Sequence, residues 1–279
     1  MTFPRFFTCF VIFVSIACGL LPGRAQTQNT APVKPDDFIQ IMRGDLPIIL
    51  SAPHGGRMQI PGIPDRKGGD SIKQFTTATD TGTLEFAETL AASVEKEMGA
   101  KPHLIAAKFL RKNIDVNRPA KDAFEVENGK PVYNAYHDHI QKAVQQVKKD
   151  HGRGLLLDIH GQGKDEKTIF RGTAKKTTVI HLLDRFGKPA LTGEKSILGI
   201  LQKNGHKVFP PGDSDEPEDP AYSGGYTVRT YGSSNTGSVD AIQLELGFEF
   251  RSRPNRQKFA DELAKAIKVF AGEYLPGKK

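Results

Sequence analysis

Short, continuously apolar segments alternate with amphipathic helical segments along most of this chain, and the alternation limits its fold more than any other feature. The apolar segments predict strands at residues 47–52, 103–109, 154–159, 177–183 and 240–250. Helical spacing of apolar residues predicts helices at 80–98, 131–149, 193–203 and 255–274. Strands joined by helical crossovers lie parallel, with helices on both faces of the sheet. We therefore expect a single-domain, three-layer α/β/α fold with a mixed, mostly parallel sheet.

The first 25 residues have the pattern of a secretory signal peptide. A basic start precedes the mostly apolar residues 6–21, and Gly23 and Ala25 fit a cleavage site after Ala25. The apolar run is shorter than the roughly 20 residues of a membrane-spanning helix. A retained membrane anchor and lipidation at Cys18 are the alternatives. We expect a periplasmic or secreted protein with a polar linker at residues 26–37 and one folded domain at residues 38–279.

Both cysteines, Cys9 and Cys18, lie in this leader. The processed chain would then have no thiol, so a bound metal would need histidine and carboxylate ligands. The chain has a net charge of +7, and many of its lysines are separated by acidic residues. Because a nucleic-acid partner would need a concentrated basic surface, we predict none. We also predict no stable membrane span once the leader is removed.

Two histidines follow predicted strands in the same context. His54 comes after the strand at 47–52 and precedes two glycines, and His160 comes after the strand at 154–159 and precedes Gly161. Ligands of open α/β sheets bind beyond the carboxyl ends of the strands, and glycine lets the backbone approach a ligand closely. The pair therefore indicates metal binding or catalysis, whereas a lone histidine in this position would more often be structural.

Three acidic residues are candidates to work with these histidines. Asp158 points to the same side of its strand as His160, where it can fix the ring of a ligating histidine or cap a backbone amide. Asp80 can be the third protein ligand of a catalytic zinc, or the N-cap of the helix that it begins. Glu245 lies between two leucines, and it can be a general base or the partner of an arginine such as Arg251.

The segments that carry these residues resemble the N-formylglutamate amidohydrolase family. They occur in the family's order and extend over nearly the whole processed chain. The matching segments are SAPHGG (51–56), TDTGT (79–83), NIDVNRP (113–119), YNAYHDHI (133–140), LLLDIHGQG (155–163), SGGYTVRTYG (223–232) and IQLELGFEFR (242–251). The family is similar to zinc carboxypeptidases and aspartoacylases, so the resemblance implies a zinc-peptidase-like fold and one Zn²⁺ ion per chain.

The resemblance also implies roles for individual residues. The zinc ligands that it implies are His54, Asp80 and His160. Asn117 and Arg118 match a pair that holds a substrate carboxylate, although on the residues alone Arg118 is equally suited to a surface salt bridge. Glu245 matches the general base. One position departs from the carboxypeptidases, because their acidic ligand comes three residues after the first histidine, where this chain has Arg57.

The activity that follows from the resemblance is hydrolysis of an N-acyl amino acid, such as an N-formyl one, or of a related amide. The substrate would be a small molecule or short peptide that bears a carboxylate. One alternative is a zinc carboxypeptidase-like enzyme that acts on short or cell-wall peptides. Another is a catalytically inactive binding protein of the same fold. The predicted leader argues against the family's role in histidine breakdown inside the cell.

Overall fold

The computed structural model describes residues 1–2, 33–69, 75–212 and 216–275. Residues 33 onward belong to one compact unit, Pro32–Lys279. The predicted signal peptide, with Cys9 and Cys18, and residues 26–32 of the predicted linker lie outside the described residues, apart from Met1 and Thr2. The last residues of that linker begin a 3-10 helix, Pro35–Phe38. Among the residues that the structure describes, no helix is both long and apolar enough to span a bilayer.

Seven strands form one sheet, and helices follow most of them. The strands are β1 (Ile39–Met42), β2 (Ile48–Ala52), β3 (His103–Ala107), β4 (Gly154–Gly161), β5 (Thr168–Gly172), β6 (Lys207–Phe209) and β7 (Val239–Leu246). The helices are α1 (Thr83–Met98), α2 (Ala120–Ala123), α3 (Lys130–His151), α4 (Ile180–Phe186), α5 (Pro189–Thr192), α6 (Ile197–Lys203), α7 (Tyr226–Tyr231), α8 (Ser233–Thr236), α9 (Phe248–Arg251) and α10 (Arg256–Tyr274).

The strand order places the predicted site strands side by side. The order across the sheet is β1-β3-β2-β4-β7-β5-β6. Strands β3, β2, β4 and β7 are parallel neighbours, and β5 with β6 forms a parallel pair. Antiparallel pairing of β1 with β3 and of β5 with β7 makes the sheet mixed. The carboxyl ends of β2, β4 and β7 therefore meet at one edge.

Apolar side chains cover both faces of the sheet, which makes the fold a three-layer sandwich. Along β4, Leu155 and Leu157 pack in a core that includes residues of α1, α6 and α10. The intervening Leu156 belongs to a second core that includes Ile140 and Val144 of α3. Strands with apolar residues on both faces are typical of a sheet covered on both sides. The predicted single-domain, three-layer α/β/α architecture is confirmed.

Several element predictions differ from the structure. Residues 177–183 are not a strand: a 3-10 turn leads into α4, and Val179 and Leu182, three residues apart, share a buried helical face. The strand predicted at 240–250 ends at Leu246, because the chain turns at Gly247 into α9. The structure adds strands β1, β5 and β6, which are too short for periodicity to identify.

Candidate metal centre

Three side chains converge at the carboxyl edge of the central strands. One ligand-type atom from each of His54, Asp80 and His160 lies within 4.8 Å of the others, and all three residues are buried. Nδ1 of His54 lies 3.5 Å from Oδ2 of Asp80, and Nδ1 of His160 lies 3.4 Å from the same oxygen. Two imidazole nitrogens and one carboxylate form a donor set that suits a divalent transition metal.

Two further acids, Asp115 and Asp158, orient the imidazole rings of His54 and His160 through the ring nitrogens that face away from Asp80. Nε2 of His54 lies 2.7 Å from Oδ1 of Asp115, and Nε2 of His160 lies 2.9 Å from Oδ2 of Asp158. The other oxygen of Asp158 accepts a hydrogen bond from Ser51 at 2.6 Å. A carboxylate that accepts a hydrogen bond from the N–H of one ring nitrogen leaves the lone pair on the other nitrogen for a metal. Both Nδ1 atoms therefore face the space beside Asp80.

The environment of the His54 Nδ1 atom shows whether these side chains could bind a metal ion. This atom is buried and has no hydrogen-bond partner in the described part of the chain. An unpartnered buried nitrogen costs free energy unless something else binds it. A cation beside Asp80 would bind this nitrogen and the neighbouring Nδ1 of His160. The donor set therefore fits a metal.

The electrostatics of the site favour positive charge at the same place. Burial raises the pKa of Asp80, but its close contacts with His160 and His54 outweigh this effect and hold the pKa well below its usual range. Burial lowers the pKa of His160, yet the charge and hydrogen bond of Asp158, with Asp80 and Glu245, raise it well above the ordinary value. A pocket with this excess of acids stabilises a cation.

Asp80 does not cap the helix that it precedes. The N-cap of α1 is Gly82, whose φ of 87° lies in the left-handed region, and no side chain caps the helix. The Asp80 carboxylate instead turns to the sheet edge, where Oδ2 accepts a hydrogen bond from the backbone N–H of Gly161 at 3.0 Å. Of the two alternatives for Asp80, the structure supports a side chain aimed at the histidines.

Glu245 lies on β7 directly opposite His160 in the strand register. Its Oε1 atom lies 3.9 Å from Nδ1 of His160 and accepts a hydrogen bond from Gln243 at 2.8 Å. Burial raises the pKa of Glu245 to about 7, and the charge of His160 opposes this rise. Glu245 is thus a buried acid beside the candidate metal centre, and among the described residues its side-chain hydrogen bond comes from an amide and not from an arginine.

A pocket of about 650 Å³ opens above these side chains. It is lined by residues from six parts of the chain, including the segment from Pro220 to Tyr226. Arg111, Arg118 and Arg229 contribute cationic side chains to its wall. The residues at its base are His54, Asp80, His160 and Glu245. The pocket thus places three guanidinium groups in the same cavity as the candidate metal centre.

The predicted carboxylate-binding pair occupies two different environments. Arg118 lines the pocket, its side chain is 25% exposed, and its Nε atom lies 3.7 Å from Asp115. Asn117 is buried: its Oδ1 accepts from the backbone N–H of Thr227 at 2.8 Å, and its Nδ2 lies 3.3 Å from Nε2 of His160. Arg118 therefore contributes a partly exposed guanidinium to the pocket wall, whereas Asn117 joins two walls of the pocket.

Glycines after the two histidines have a structural use that the sequence did not indicate. A Cβ atom on Gly55 would lie 2.2 Å from the backbone nitrogen of Leu84, at the start of α1. One on Gly161 would lie 2.7 Å from the guanidinium of Arg251. The close approach at these positions is made by the protein itself and not by a ligand.

One functional position was missed by sequence reasoning. Asp115 lies in the segment 113–119 that carries the family resemblance, but no role was predicted for it. The signal available was its place two residues before Asn117, the first residue of the pair predicted to hold a substrate carboxylate. Its contact with His54 spans 61 residues of sequence, so only the folded chain reveals it.

Comparison with curated proteins finds one relative of similar length. The chain is 22% identical over 248 residues to N-formylglutamate deformylase of Pseudomonas aeruginosa, which covers 76% of this chain and 84% of that protein. The resemblance to the N-formylglutamate amidohydrolase family is confirmed. No family model matches the chain.

Two solved structures share the fold. N-formylglutamate amidohydrolase from Ralstonia eutropha JMP134 has a TM-score of 0.53 at 14% identity, covering 85% of this chain and 97% of that one. A gene product of Agrobacterium tumefaciens has a TM-score of 0.54 at 15% identity, covering 84% of this chain and 95% of that one. At these identities the likeness shows the fold, and the chemistry has to be argued from the residues of the site.

Proposed function

We propose that this protein is an exported, zinc-dependent amidohydrolase that cleaves an N-acyl amino acid or a related amide. The observation that carries the proposal is the convergence of His54, Asp80 and His160 at the base of a pocket that also contains Glu245. The relationship to a deformylase supports a hydrolase that acts on amide bonds. The proposal includes the metal, the export and the substrate class.

Zinc is the metal that the donor set favours. Catalytic zinc sites usually have three protein ligands of the histidine and carboxylate type and keep one position open. His54, Asp80 and His160 would provide the three ligands, and the pocket provides the open side. When bound, zinc supplies Lewis-acid chemistry that polarises a carbonyl and acidifies water. Asp115 and Asp158 would hold the two imidazoles in the tautomer that ligation needs.

Glu245 is the residue that we propose to move the proton. Its carboxylate takes a proton from the attacking water and later gives it to the leaving amine, as a general base and then a general acid. Its position supports this role, because Oε1 lies 3.9 Å from a ligand nitrogen of His160 and lines the pocket. The hydrogen bond from Gln243 fixes which way the carboxylate points.

Arg118 is the residue that we propose to bind the substrate carboxylate. A guanidinium can hold a carboxylate through two hydrogen bonds, which orients the substrate as well as binding it. The neighbouring Asn117 would help to fix the position of Arg118. Its side chain accepts a hydrogen bond from the backbone N–H of Thr227 and contacts the ring of His160. A substrate carboxylate at the pocket wall would direct the adjacent amide bond toward the base of the pocket.

Export rests on the leader at residues 1–25, with cleavage after Ala25. The predicted destination is the periplasm or the medium. Mass spectrometry of the protein recovered from the periplasm or medium would test this. An N-terminus at Gln26 supports export, and recovery of the uncleaved chain from the cytoplasm would contradict it.

A peptidase that acts on short or cell-wall peptides is the second candidate. A specific observation favours it: a neighbouring cleft of about 1020 Å³ shares Pro220 and Ser223 with the metal pocket. A longer substrate could extend from one into the other. The third candidate, an inactive binding protein, is less well supported because the acid and ligand side chains are all assembled.

Turnover of a substrate panel tests the proposed function. The purified, zinc-loaded protein is assayed against formyl-, acetyl- and peptidyl-amino acids that share one carboxylate-bearing residue. We expect release of the free amino acid from the acyl derivatives. Hydrolysis of the peptides alone would favour the peptidase. No hydrolysis of any member by protein with full zinc occupancy would favour the binding protein.

A further inference from the structure

Arg251 lies buried beneath the candidate metal centre, and its only described hydrogen bonds are to backbone carbonyl groups. The residue is 6% exposed and ends α9, shortly after β7. Its Nε donates to the carbonyl of Leu246 at 3.1 Å, and one terminal nitrogen donates to the carbonyl of Gln162 at 3.1 Å. The other terminal nitrogen donates to the carbonyl of Thr81.

Each of these carbonyls belongs to a segment that carries a site residue. Thr81 follows Asp80, Leu246 follows Glu245, and Gln162 comes two residues after His160. The three segments reach the site from the loop before α1, from β7 and from β4. A guanidinium presents its donors in one rigid plane, so it fixes the positions of the three carbonyls relative to one another.

Gly161 shows how closely Arg251 approaches the metal centre. A Cβ atom at this position would lie 2.7 Å from both Cζ and Nε of Arg251, far inside normal contact distance. The backbone N–H of Gly161 also donates to Oδ2 of Asp80. The absence of a side chain after His160 thus lets the guanidinium lie directly under the strand that supplies the ligand.

The charge of Arg251 is coupled to the same acids. Burial lowers its pKa, and the charges of Asp80 and Glu245 oppose that effect. No carboxylate of the described residues lies within ion-pair distance of Arg251, so the cation is held by carbonyl dipoles and by these nearby acids. Such a buried group is costly unless its hydrogen bonds are all made, which keeps the three segments in place.

We propose that Arg251 is a positioning residue of the metal centre, which holds the segments of Asp80, His160 and Glu245 in register and so sets the affinity for the metal. The inference rests on the proposed zinc site. It assigns no contact between Arg251 and substrate. A residue of this kind acts through the ligands that it positions, and loss of such support typically lowers metal affinity about 10–100-fold.

The test compares zinc affinity in the full chain and its variants by competition with a chelator. Arg251→Lys keeps the charge but loses the planar group, and Arg251→Met loses both. We expect the zinc Kd to rise about 10–100-fold in each. The matched control is Arg185→Met, since Arg185 pairs with Asp240 at 3.0 Å at the opposite end of β7. This control should lower the melting temperature and leave the zinc Kd at the wild-type value.

A second variant covers the case in which the Arg251 variants do not fold. Gly161→Ala keeps the arginine, but its methyl group would push the guanidinium away, so the zinc Kd should rise here too. Wild-type zinc affinity in folded Arg251→Lys or Gly161→Ala protein would overturn the proposal. The Tm of each variant, set beside that of Arg185→Met, separates a loss of affinity from a general loss of stability.

Hydrogen exchange in metal-free protein separates this inference from the proposed function. The amide of Gln162 donates to the carbonyl of Leu246 at 3.1 Å, so its exchange reports the β4–β7 edge without any metal. Exchange at Gln162 and Gly161 should be faster in Arg251→Lys than in wild type. If wild-type protein binds no zinc, the proposed function fails, and unchanged exchange in Arg251→Lys would then overturn the positioning role independently.

Discussion

Nε2 of His54 lies 2.7 Å from Oδ1 of Asp115, and this contact turns the other ring nitrogen toward Asp80. Asp115 is 1% exposed, and Nε of Arg111 and the backbone N–H of Asn117 also donate to its carboxylate, each at 3.0 Å. The acid is therefore fixed from several sides before it fixes the histidine. The orientation of the His54 ring toward Asp80 therefore depends on Asp115.

Asp115→Asn should weaken zinc binding without removing a ligand. The amide has the shape of the carboxylate, but it lacks the charge that holds the His54 ring in one tautomer, and loss of such a partner typically costs about 10–100-fold in metal affinity. Zinc Kd measured by chelator competition checks this. Asp138→Asn on the exposed surface of α3 is the charge-matched control. A wild-type Kd for Asp115→Asn would exclude the role.

Glu245→Gln should retain zinc and lose turnover. The amide preserves size and can still accept the hydrogen bond from Gln243, but it cannot take a proton from water. General acid–base groups contribute about 10²–10⁴-fold to rate, so kcat should fall by that factor. Zinc content and kcat are measured on the same preparation. A kcat near that of wild type would remove Glu245 from the mechanism.

The site residues that could be predicted from the sequence are those marked by a pattern in their immediate sequence neighbourhood. His54 and His160 follow predicted apolar strands and Asp158 lies near the end of one. Because neighbouring parallel strands end at one edge of a sheet, their meeting could be predicted. Asp80 comes after a long loop, and on the residues alone it could equally be the N-cap of the following helix. The contacts of Asp115 and Arg251 join segments that are distant in sequence, and no spacing rule predicts them. Arg251 had been considered as an ion-pair partner of Glu245, whereas it binds backbone carbonyls.

Glu218 should stabilise the conformation of the pocket wall that begins at Pro220. Its buried carboxylate accepts the backbone N–H groups of Thr173 at 2.8 Å and Lys175 at 3.0 Å. Residues 174–176 have φ between 49° and 72°, a costly conformation for residues other than glycine. Hydrogen bonds to a charged group contribute about 1.5–3 kcal/mol each. Glu218→Gln should therefore lower the free energy of unfolding by about 1.5–3 kcal/mol, the contribution of one such bond. The variant should also have a higher KM and should retain zinc.

The control for Glu218 is Glu249→Gln. Glu249 is 45% exposed, and its ion pair with Lys167 at 3.8 Å is of a kind worth about 0–1 kcal/mol. Urea unfolding and steady-state kinetics are measured for both variants. An unchanged KM and an unchanged free energy of unfolding in Glu218→Gln would show that the wall does not depend on this carboxylate.

His137 should make stability depend on pH below neutrality. Burial lowers its pKa to about 4, and Tyr231 lies 2.9 Å from its Nδ1 atom. In the unfolded chain His137 has the ordinary histidine pKa of about 6.5. Between about pH 6.5 and 4 it is therefore protonated in the unfolded state and neutral in the folded state, which favours unfolding. The contribution is complete above this window and is lost as the pH falls through it, at up to about 1.4 kcal/mol per pH unit.

Urea unfolding at a series of pH values checks the role of His137. The wild-type free energy of unfolding should fall more steeply than that of His137→Gln between pH 6.5 and 4, and the two slopes should agree above pH 7. Parallel curves throughout this window would contradict the prediction. An NMR titration of His137 with a midpoint near 6.5 would do the same.

Zinc content of the purified protein tests the central claim most directly. Elemental analysis of the chain after dialysis against metal-free buffer should find one zinc ion per chain in wild type. The same measurement on folded His160→Ala should find essentially none, because only His54 and Asp80 would remain. Stoichiometric zinc retained by His160→Ala, or no divalent metal bound by wild type even after incubation with zinc, would contradict the account of the site.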